Sequence, residues 1–279
     1  MRLAIVRDNL LIAAVLATFG GLALHAQTSS VVLERNGDTI VLEPYAENIV
    51  RVTMSRNSAA ATGAAGYGVV GTPSMTGWSH QQDSDGSDVF RSGRLVVHVS
   101  PGNLPASQLP HPMPLDDLNQ ALRDHYFGAA PRRGPNQDVI TVTTASGQML
   151  LNMRNWFMIP NHADAKPSGA EEQGQGEGFR VAATFDSPAG EHYYGLGQQQ
   201  QGFLDLRDHQ IRCWHDYSAI GGENVCVPFM VSSRGYGLIW DNPSKTTINL
   251  GFNQQNVWSS EIGDRVSFFV IAGENTDEI

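Results

Sequence analysis

Short runs in which apolar and polar residues alternate, separated by turn-forming residues, fill the chain from Val31 to its end. That alternation is the period of a strand with one buried and one wet face. The clearest runs are 31–35, 39–42, 49–54, 95–99, 139–143, 148–153, 179–185, 227–231, 236–240 and 266–271, all rich in β-branched or aromatic residues. Between the first two, Asn36-Gly37 supplies the positive φ that a two-residue type I′ turn needs, which predicts a hairpin. A single stretch reads as a helix: Leu115, Leu118, Leu122 and Tyr126 recur at spacings of three and four after a run containing Pro105, Pro110, Pro112 and Pro114. Many strands with no regular helix between them exclude a βαβ architecture, and an eight-fold barrel would need most of the chain. The predicted fold class is therefore all-β, an antiparallel β-sandwich with one short helix and long loops.

Two stretches of low complexity, 59–66 and 161–178, are built of Ala, Gly, Glu, Gln and Ser. They have too little apolar surface to pack and are expected to be exposed loops inside one domain, since strands of the same pattern resume on both sides. At the N-terminus, Arg2 and Arg7 precede an apolar run from Leu10 to Leu24 and a small residue, Ala26. This is the pattern of a secretory signal over residues 1–26, the run being short of the about 20 residues a bilayer-spanning helix needs. Residues 27–279 would then form the mature domain, periplasmic or secreted, with no membrane attachment after cleavage. Removing Arg2, Arg7 and Asp8 takes the formal charge from −10 to −11, which argues against nucleic acid and anionic membranes as partners. Cys213 and Cys226 are an even pair bracketing 214–225. They are either a loop-stapling disulfide or two buried thiols, and spacing alone does not decide.

Common chemical motifs fail on inspection. Gly66-Tyr67-Gly68-Val69-Val70-Gly71 fits a dinucleotide-binding glycine pattern, but alanines precede it and Pro73 follows it where a strand and a helix are required, so it reads as a loop. His209 with Asp205 and Asp208 lacks a regular frame for metal ligands and reads as surface charge. Asp83, Asp85 and Asp88 sit in a Gly/Ser-rich turn, where aspartates bond their own backbone. No metal and no cofactor is expected, and no pair of acids is spaced recognisably for glycoside hydrolysis.

From Glu191 onward the motifs become specific: Tyr194-Gly195-Leu196-Gly197, a tryptophan-bearing loop at Trp214, Val227-Pro228-Phe229, Gly235-Tyr236-Gly237-Leu238, Trp240-Asp241-Asn242-Pro243-Ser244 and Phe268-Phe269-Val270-Ile271. In this order they resemble the end of the N-terminal domain of family 31 glycoside hydrolases, the α-glucosidase and α-xylosidase family; the earlier part of the chain resembles it only by strand pattern. The resemblance implies a galactose mutarotase-like supersandwich, an α-linked oligosaccharide, xyloside or glucoside as substrate, and a catalytic barrel as covalent partner after residue 279. Both catalytic aspartates of the family lie on that barrel, so no catalytic residue is assigned here and the chain alone is expected to be inactive.

The local physics of these motifs is mostly structural. Gly195 and Gly197 permit a tight turn at a sheet edge, Arg234-Gly235 makes a hairpin, and Asp241 and Asn242 suit the turn that Pro243 enforces. Phe203, Trp214, His215 and Asp216 are the candidate substrate-binding residues, because a sugar is held by an aromatic face against its C–H surface and by charged acceptors for its hydroxyls. In the family, a loop here reaches the leaving-group subsite, although Asp216 falls one residue early against the usual spacing. Gly221-Gly222-Glu223-Asn224 would let the loop bend. The rival readings are a free-standing sugar-binding module, a purely structural domain, and a mutarotase-like epimerase; for the last, the adjacent pair Glu191 and His192 would be sent to opposite faces by strand alternation.

Overall fold

A computed structural model of the chain describes residues 29–35, 37–66, 68–101, 140–160, 178–199, 202–213 and 225–279. Two antiparallel sheets pack face to face. The smaller consists of β1 (Val31–Arg35), β2 (Asp38–Ala46), β3 (Ile49–Ser55), β16 (Val266–Ala272), β13 (Tyr236–Trp240), β12 (Phe229–Ser232) and β10 (Tyr193–Gly195), in that spatial order. The larger runs β11 (Gln210–Cys213), β14 (Thr246–Asn249), β15 (Gln255–Gly263), β9 (Phe179–Asp186), β8 (Met149–Pro160), β7 (Ile140–Thr144), β6 (Leu95–Val99), β5 (Asp88–Arg91) and β4 (Ser79–Gln82). The all-β sandwich expected from alternation is what the chain forms.

The core lies between the sheets, because one side of each strand is apolar. Val50, Val52 and Met54 of β3 and Phe268 and Val270 of β16 meet Val181, Ala183 and Phe185 of β9 and Val97 and Val142 across the gap, all close to fully buried. Trp240 and Trp258 pack with ring centroids 5.7 Å apart, and the Trp240 indole N–H donates to Ser260 Oγ at 2.8 Å, so its one polar atom is satisfied inside the core. The β1–β2 hairpin closes with Arg35 opposite Asp38 and Gly37 at φ +88°, as Asn36-Gly37 predicts. The hairpin around Arg234-Gly235 joins β12 to β13 with Ser232 opposite Tyr236.

Three expectations change. The stretch 59–66 is not a plain exposed loop: Ser58–Ala61 forms a short helix, α1, capped by Asn57 Oδ1 accepting from Ala59 N, and Ala61 is fully buried. This segment covers a polar position on the back of β3. Arg51 is fully buried there, its Nη1 donating to Glu43 Oε2 at 2.7 Å and to the Gly63 carbonyl at 3.0 Å, with Asp241 Oδ2 at 3.1 Å from Nη2. Asp241 accordingly does not cap the Pro243 turn; it accepts from Ser267 Oγ and Gly66 N, and only Asn242 caps, accepting from Ser244 N at 2.8 Å. In the 83–88 turn, Asp85 bonds Ser87 as expected, whereas Asp88 is buried and paired with Arg35 and with His80.

Six strands went unmarked in the sequence pattern: β4, β5, β10, β11, β14 and β15. They are short, or polar on both faces; β4, Ser-His-Gln-Gln, is exposed throughout and held only by its pairing with β5. Strand β8 runs to Pro160, past a bulge between Met153 and Asn155. The helix expected at 115–126 and the loop at 161–177 lie outside the described residues.

Candidate functional site: the lip after the Y-G-L-G turn

Strand β10 ends in three consecutive residues of positive φ: Gly195 at +95°, Leu196 at +58° and Gly197 at +83°. Leu196 tolerates this conformation because its side chain is completely buried and its N–H donates to the Phe229 carbonyl at 2.8 Å. The turn brings Gln198 against Val225, which exchange two backbone hydrogen bonds of 2.8 and 3.0 Å. Cys213, at the end of β11, is bonded to Cys226 with a Cα separation of 5.0 Å. The open question of the two cysteines is thereby resolved as a disulfide. It ties the edge of the larger sheet to the segment entering β12 of the smaller one, closing the side of the sandwich where β10 and β11 face each other.

The excursion from Leu196 returns at Leu206, whose N–H donates to the Tyr193 carbonyl at 2.8 Å and whose side chain is buried. Asp205 organises the return. Its Oδ1 accepts from Tyr193 N and Arg207 N, and its Oδ2 lies 2.6 Å from His192 Nδ1. Partial burial works against ionisation, yet the hydrogen bonds from Arg207 N, His192 and Tyr193 N hold the Asp205 carboxyl below its ordinary value. The Arg207 guanidinium reaches back and donates through Nη1 to Ser187 Oγ, the Pro188 carbonyl and the Glu191 carbonyl at 2.8 to 3.2 Å, and through Nη2 to the Ser187 carbonyl at 3.5 Å. Asp205 and Arg207 are thus structural anchors; the sequence reading places Asp205, with Asp208 and His209, in surface charge and does not single out Arg207, because the irregular return of the loop carries no period.

Phe203 sits on this excursion, 49% exposed, with its ring stacked on the imidazole of His209 at a centroid distance of 3.9 Å and an interplanar angle of 12°. It is not core packing. Next to it Leu204 is 81% exposed. The arrangement is a flat, half-wet aromatic surface backed by a second ring, the form that stacks against the C–H face of a sugar. Trp214, His215 and Asp216 lie outside the described residues, directly after the disulfide-held Cys213. The structure therefore places one of the four candidates. Among the described residues no three His, Cys, Asp or Glu side chains cluster to hold a metal ion.

Beneath the lip lies a buried carboxylate. Glu191 is 3% exposed, and its Oε1 accepts from Ser232 Oγ at 2.5 Å and Tyr236 OH at 2.9 Å. Burial raises its carboxyl above the ordinary value of 4.5, against the hydrogen bonds from Ser232 and Tyr236 and the charge of Arg234. Burial and the nearby Glu191 charge also push the hydroxyls of Tyr193 and Tyr236 well up. His192 points the other way and is exposed, so the two residues take opposite faces as alternation requires.

Comparison with known proteins places this geometry. Residues 39–249 match the family described as "Glycosyl hydrolase 31 N-terminal galactose mutarotase-like domain". An α-xylosidase of Saccharolobus solfataricus is 34% identical over 146 residues, 50% of this chain and 19% of that protein. A family 31 glucosidase of Pseudescherichia vulneris, otherwise uncharacterised, is 32% identical over 101 residues, 36% of this chain and 18% of its own length. A family 31 α-xylosidase from a soil metagenome, solved with xylose, superposes with a TM-score of 0.59 at 19% identity, over 88% of this chain and 32% of that one. A Flavobacterium johnsoniae dextranase of the same family, solved with glucose, gives 0.56 at 15% identity over 90% of this chain and 27% of its own. The chain thus spans about a fifth of the curated relatives and no more than about a third of these structures.

Proposed function

The chain belongs to the family of glycoside hydrolase 31 N-terminal, galactose mutarotase-like domains, and from that we propose that it serves an extracytoplasmic α-glycoside hydrolase by lending its lip to the substrate subsite. The observation that carries the reading is the half-exposed Phe203 ring, held flat on His209 at the far side of the Y-G-L-G turn. Phe203 supplies the apolar platform; Trp214, His215 and Asp216 follow the disulfide-held Cys213 and supply a further aromatic face and hydrogen-bonding groups. A neutral α-linked xyloside or glucoside suits this chemistry, in keeping with the α-xylosidases and the dextranase to which the chain is similar. Hydrolysis itself falls to a catalytic domain of the full-length protein.

The disulfide and the apolar run at 10–24 both favour a periplasmic or secreted setting, since a structural disulfide persists in an oxidising compartment. Against a mutarotase-like epimerase stands the separation of Glu191 from His192, one sealed among hydroxyls and the other exposed on the opposite face and bonded to Asp205.

The test is kinetic, in the full-length gene product carrying the catalytic domain. Phe203→Ala and Asp216→Ala are each expected to lower kcat/KM on an α-linked disaccharide by about fivefold, the worth of roughly 1 kcal/mol of stacking or hydrogen bonding. Unchanged kinetics for both variants would reject the subsite role and leave a supporting domain.

A further inference from the structure

Met230, Leu238 and Val270 of the smaller sheet point into the core, so their strand neighbours point outward. Two outward rows in register result. Phe229 of β12 lies opposite Ile239 of β13, Ile239 opposite Phe269 of β16, and Phe269 opposite Arg51 of β3. Beside them Tyr194 of β10 lies opposite Val231, Val231 opposite Gly237, and Gly237 opposite Ile271. The outward positions of an antiparallel sheet with one wet face are ordinarily polar. Here those of the two rows on β10, β12, β13 and β16 carry no charge.

The two halves of this face are finished differently. Over β2 and β3 the chain covers itself: the 62–66 segment closes over Arg51, and Tyr45 packs edge-on to Phe269 with ring centroids 5.2 Å apart, leaving Phe269 3% exposed. Over β12 and β13 the apolar side chains stay partly open. Tyr194, Phe229, Val231 and Ile239 are half-buried, and at the lip end of β12 Val225 and Val227 are 52% and 50% exposed. A continuous apolar surface of this kind, edged by polar residues, marks a place of association.

Its occupant is indicated at both ends. At one end Ile279 lies on the face: a β-carbon on Gly237 would stand 2.5 Å from Ile279 Cγ2 and 2.7 Å from Phe229 Cε2, so both side chains lie over the glycine. Asn275 Oδ1 caps the Thr276–Glu278 turn by accepting from Asp277 N at 3.0 Å, and Arg94 donates to Glu278 Oε2, which pins residues 275–279 beside β13. At the other end the Val225 carbonyl is pressed against Gly197, so a body seated here adjoins the excursion that bears Phe203. In the curated relatives the matched segment is 19% and 18% of the length, so most of each polypeptide lies outside it.

We propose that the apolar outer face of β10, β12 and β13 is the surface on which the catalytic domain of the full-length protein seats, meeting it with an apolar patch depleted of charge at its centre. The proposal rests on reading the chain as the supporting domain of a glycoside hydrolase, and adds the surface through which it does so.

The test is maleimide labelling of single-cysteine substitutions in the full-length gene product under native, non-reducing conditions. Val231→Cys and Ile239→Cys, which keep small side chains and leave the core side of each strand untouched, should react about tenfold or more slowly than Val32→Cys, placed on β1 of the same sheet where the residue is 47% exposed. Adding Val231→Glu to Ile239→Cys puts a charge at the centre of the patch and should restore fast labelling. Sedimentation of each labelled protein establishes its state of association. Labelling at 231 and 239 as fast as at 32, or protection that survives Val231→Glu, would overturn the proposal. Protection found in a dimer and lost on dilution to the monomer would also overturn it, giving the face to a second copy. Protection in the monomer with unchanged kinetics for Phe203→Ala and Asp216→Ala would keep this docking face and reject the subsite reading, so the two fail separately.

Discussion

A β-carbon placed on Gly197 would stand 2.0 Å from the carbonyl oxygen of Val225, closer than any side chain permits. The backbone of the Y-G-L-G turn is pressed directly onto the strand entry at Val225, and that contact sets where the excursion bearing Phe203 leaves the sandwich. Gly37, at a similar φ in the β1–β2 hairpin, has nothing within 4 Å of its missing β-carbon.

The comparison gives a first prediction. Gly37→Ala meets only the cost of positive φ, about 1–2 kcal/mol, whereas Gly197→Ala must also push two backbone segments apart and is expected to lose distinctly more. Urea unfolding of the two variants measures this; equal losses would show that the turn is not in close contact with Val225.

Reduction of Cys213–Cys226 should destabilise the chain by about 3 kcal/mol, the loop-closure entropy of a short crosslinked loop. Unfolding midpoints with and without dithiothreitol give the number. Thiol counting under native, non-reducing conditions should find none free, and two would contradict the bond.

Glu191 sets a pH dependence whose sign is opposite to that of an ordinary paired carboxylate. Its folded-state pKa is raised, so its contribution to stability is fully present below 4.5, the ordinary value, and is lost as pH rises through the folded value. Glu191→Gln removes this titration while keeping an oxygen for Ser232 and Tyr236. Relative to the parent, the variant is expected to gain stability as pH rises above 4.5, read as a growing difference in urea midpoint. A difference that is flat with pH would mean that Glu191 is not held above its ordinary value.

Arg51→Met leaves Glu43 and Asp241, whose side chains are only 12% and 10% exposed, without their shared cation. The loss should be about 3–5 kcal/mol, as for breaking one partner out of a buried pair. Adding Glu43→Gln and Asp241→Asn should restore a good part of it, since the damage lies in the uncompensated charges. Full stability of Arg51→Met alone in thermal unfolding would show that the network does not hold the 62–66 segment.

What was legible in the sequence was what local pattern controls. Pattern marked β1, β3, β6, β13 and β16 to within a residue or so: β1 and β6 keep one face more open than the other, whereas β3, β13 and β16 are buried on nearly every residue and show through their apolar, β-branched runs, and Asn36-Gly37 marked its hairpin because few residue pairs accept positive φ. Strands β4, β11 and β14 were not legible, since an edge or polar strand exists through its neighbour's hydrogen bonds and carries no period of its own. The candidate aromatic, Phe203, could be named from the motif after which it falls; its backing by His209 could not, because five residues of irregular chain separate the two and only the return of the loop stacks them. The same holds for Asp241 and Arg51, brought together from 190 positions apart by the β3–β16–β13 order of the smaller sheet. The sequence by itself determined an all-β sandwich and the family whose turn motifs it carries, because strand period and turn chemistry are properties of adjacent residues. Only the tertiary structure decided the disulfide, the anchoring of the lip by Asp205 and Arg207, and the buried network of Arg51 with Glu43 and Asp241, because each depends on which distant backbones the fold sets side by side.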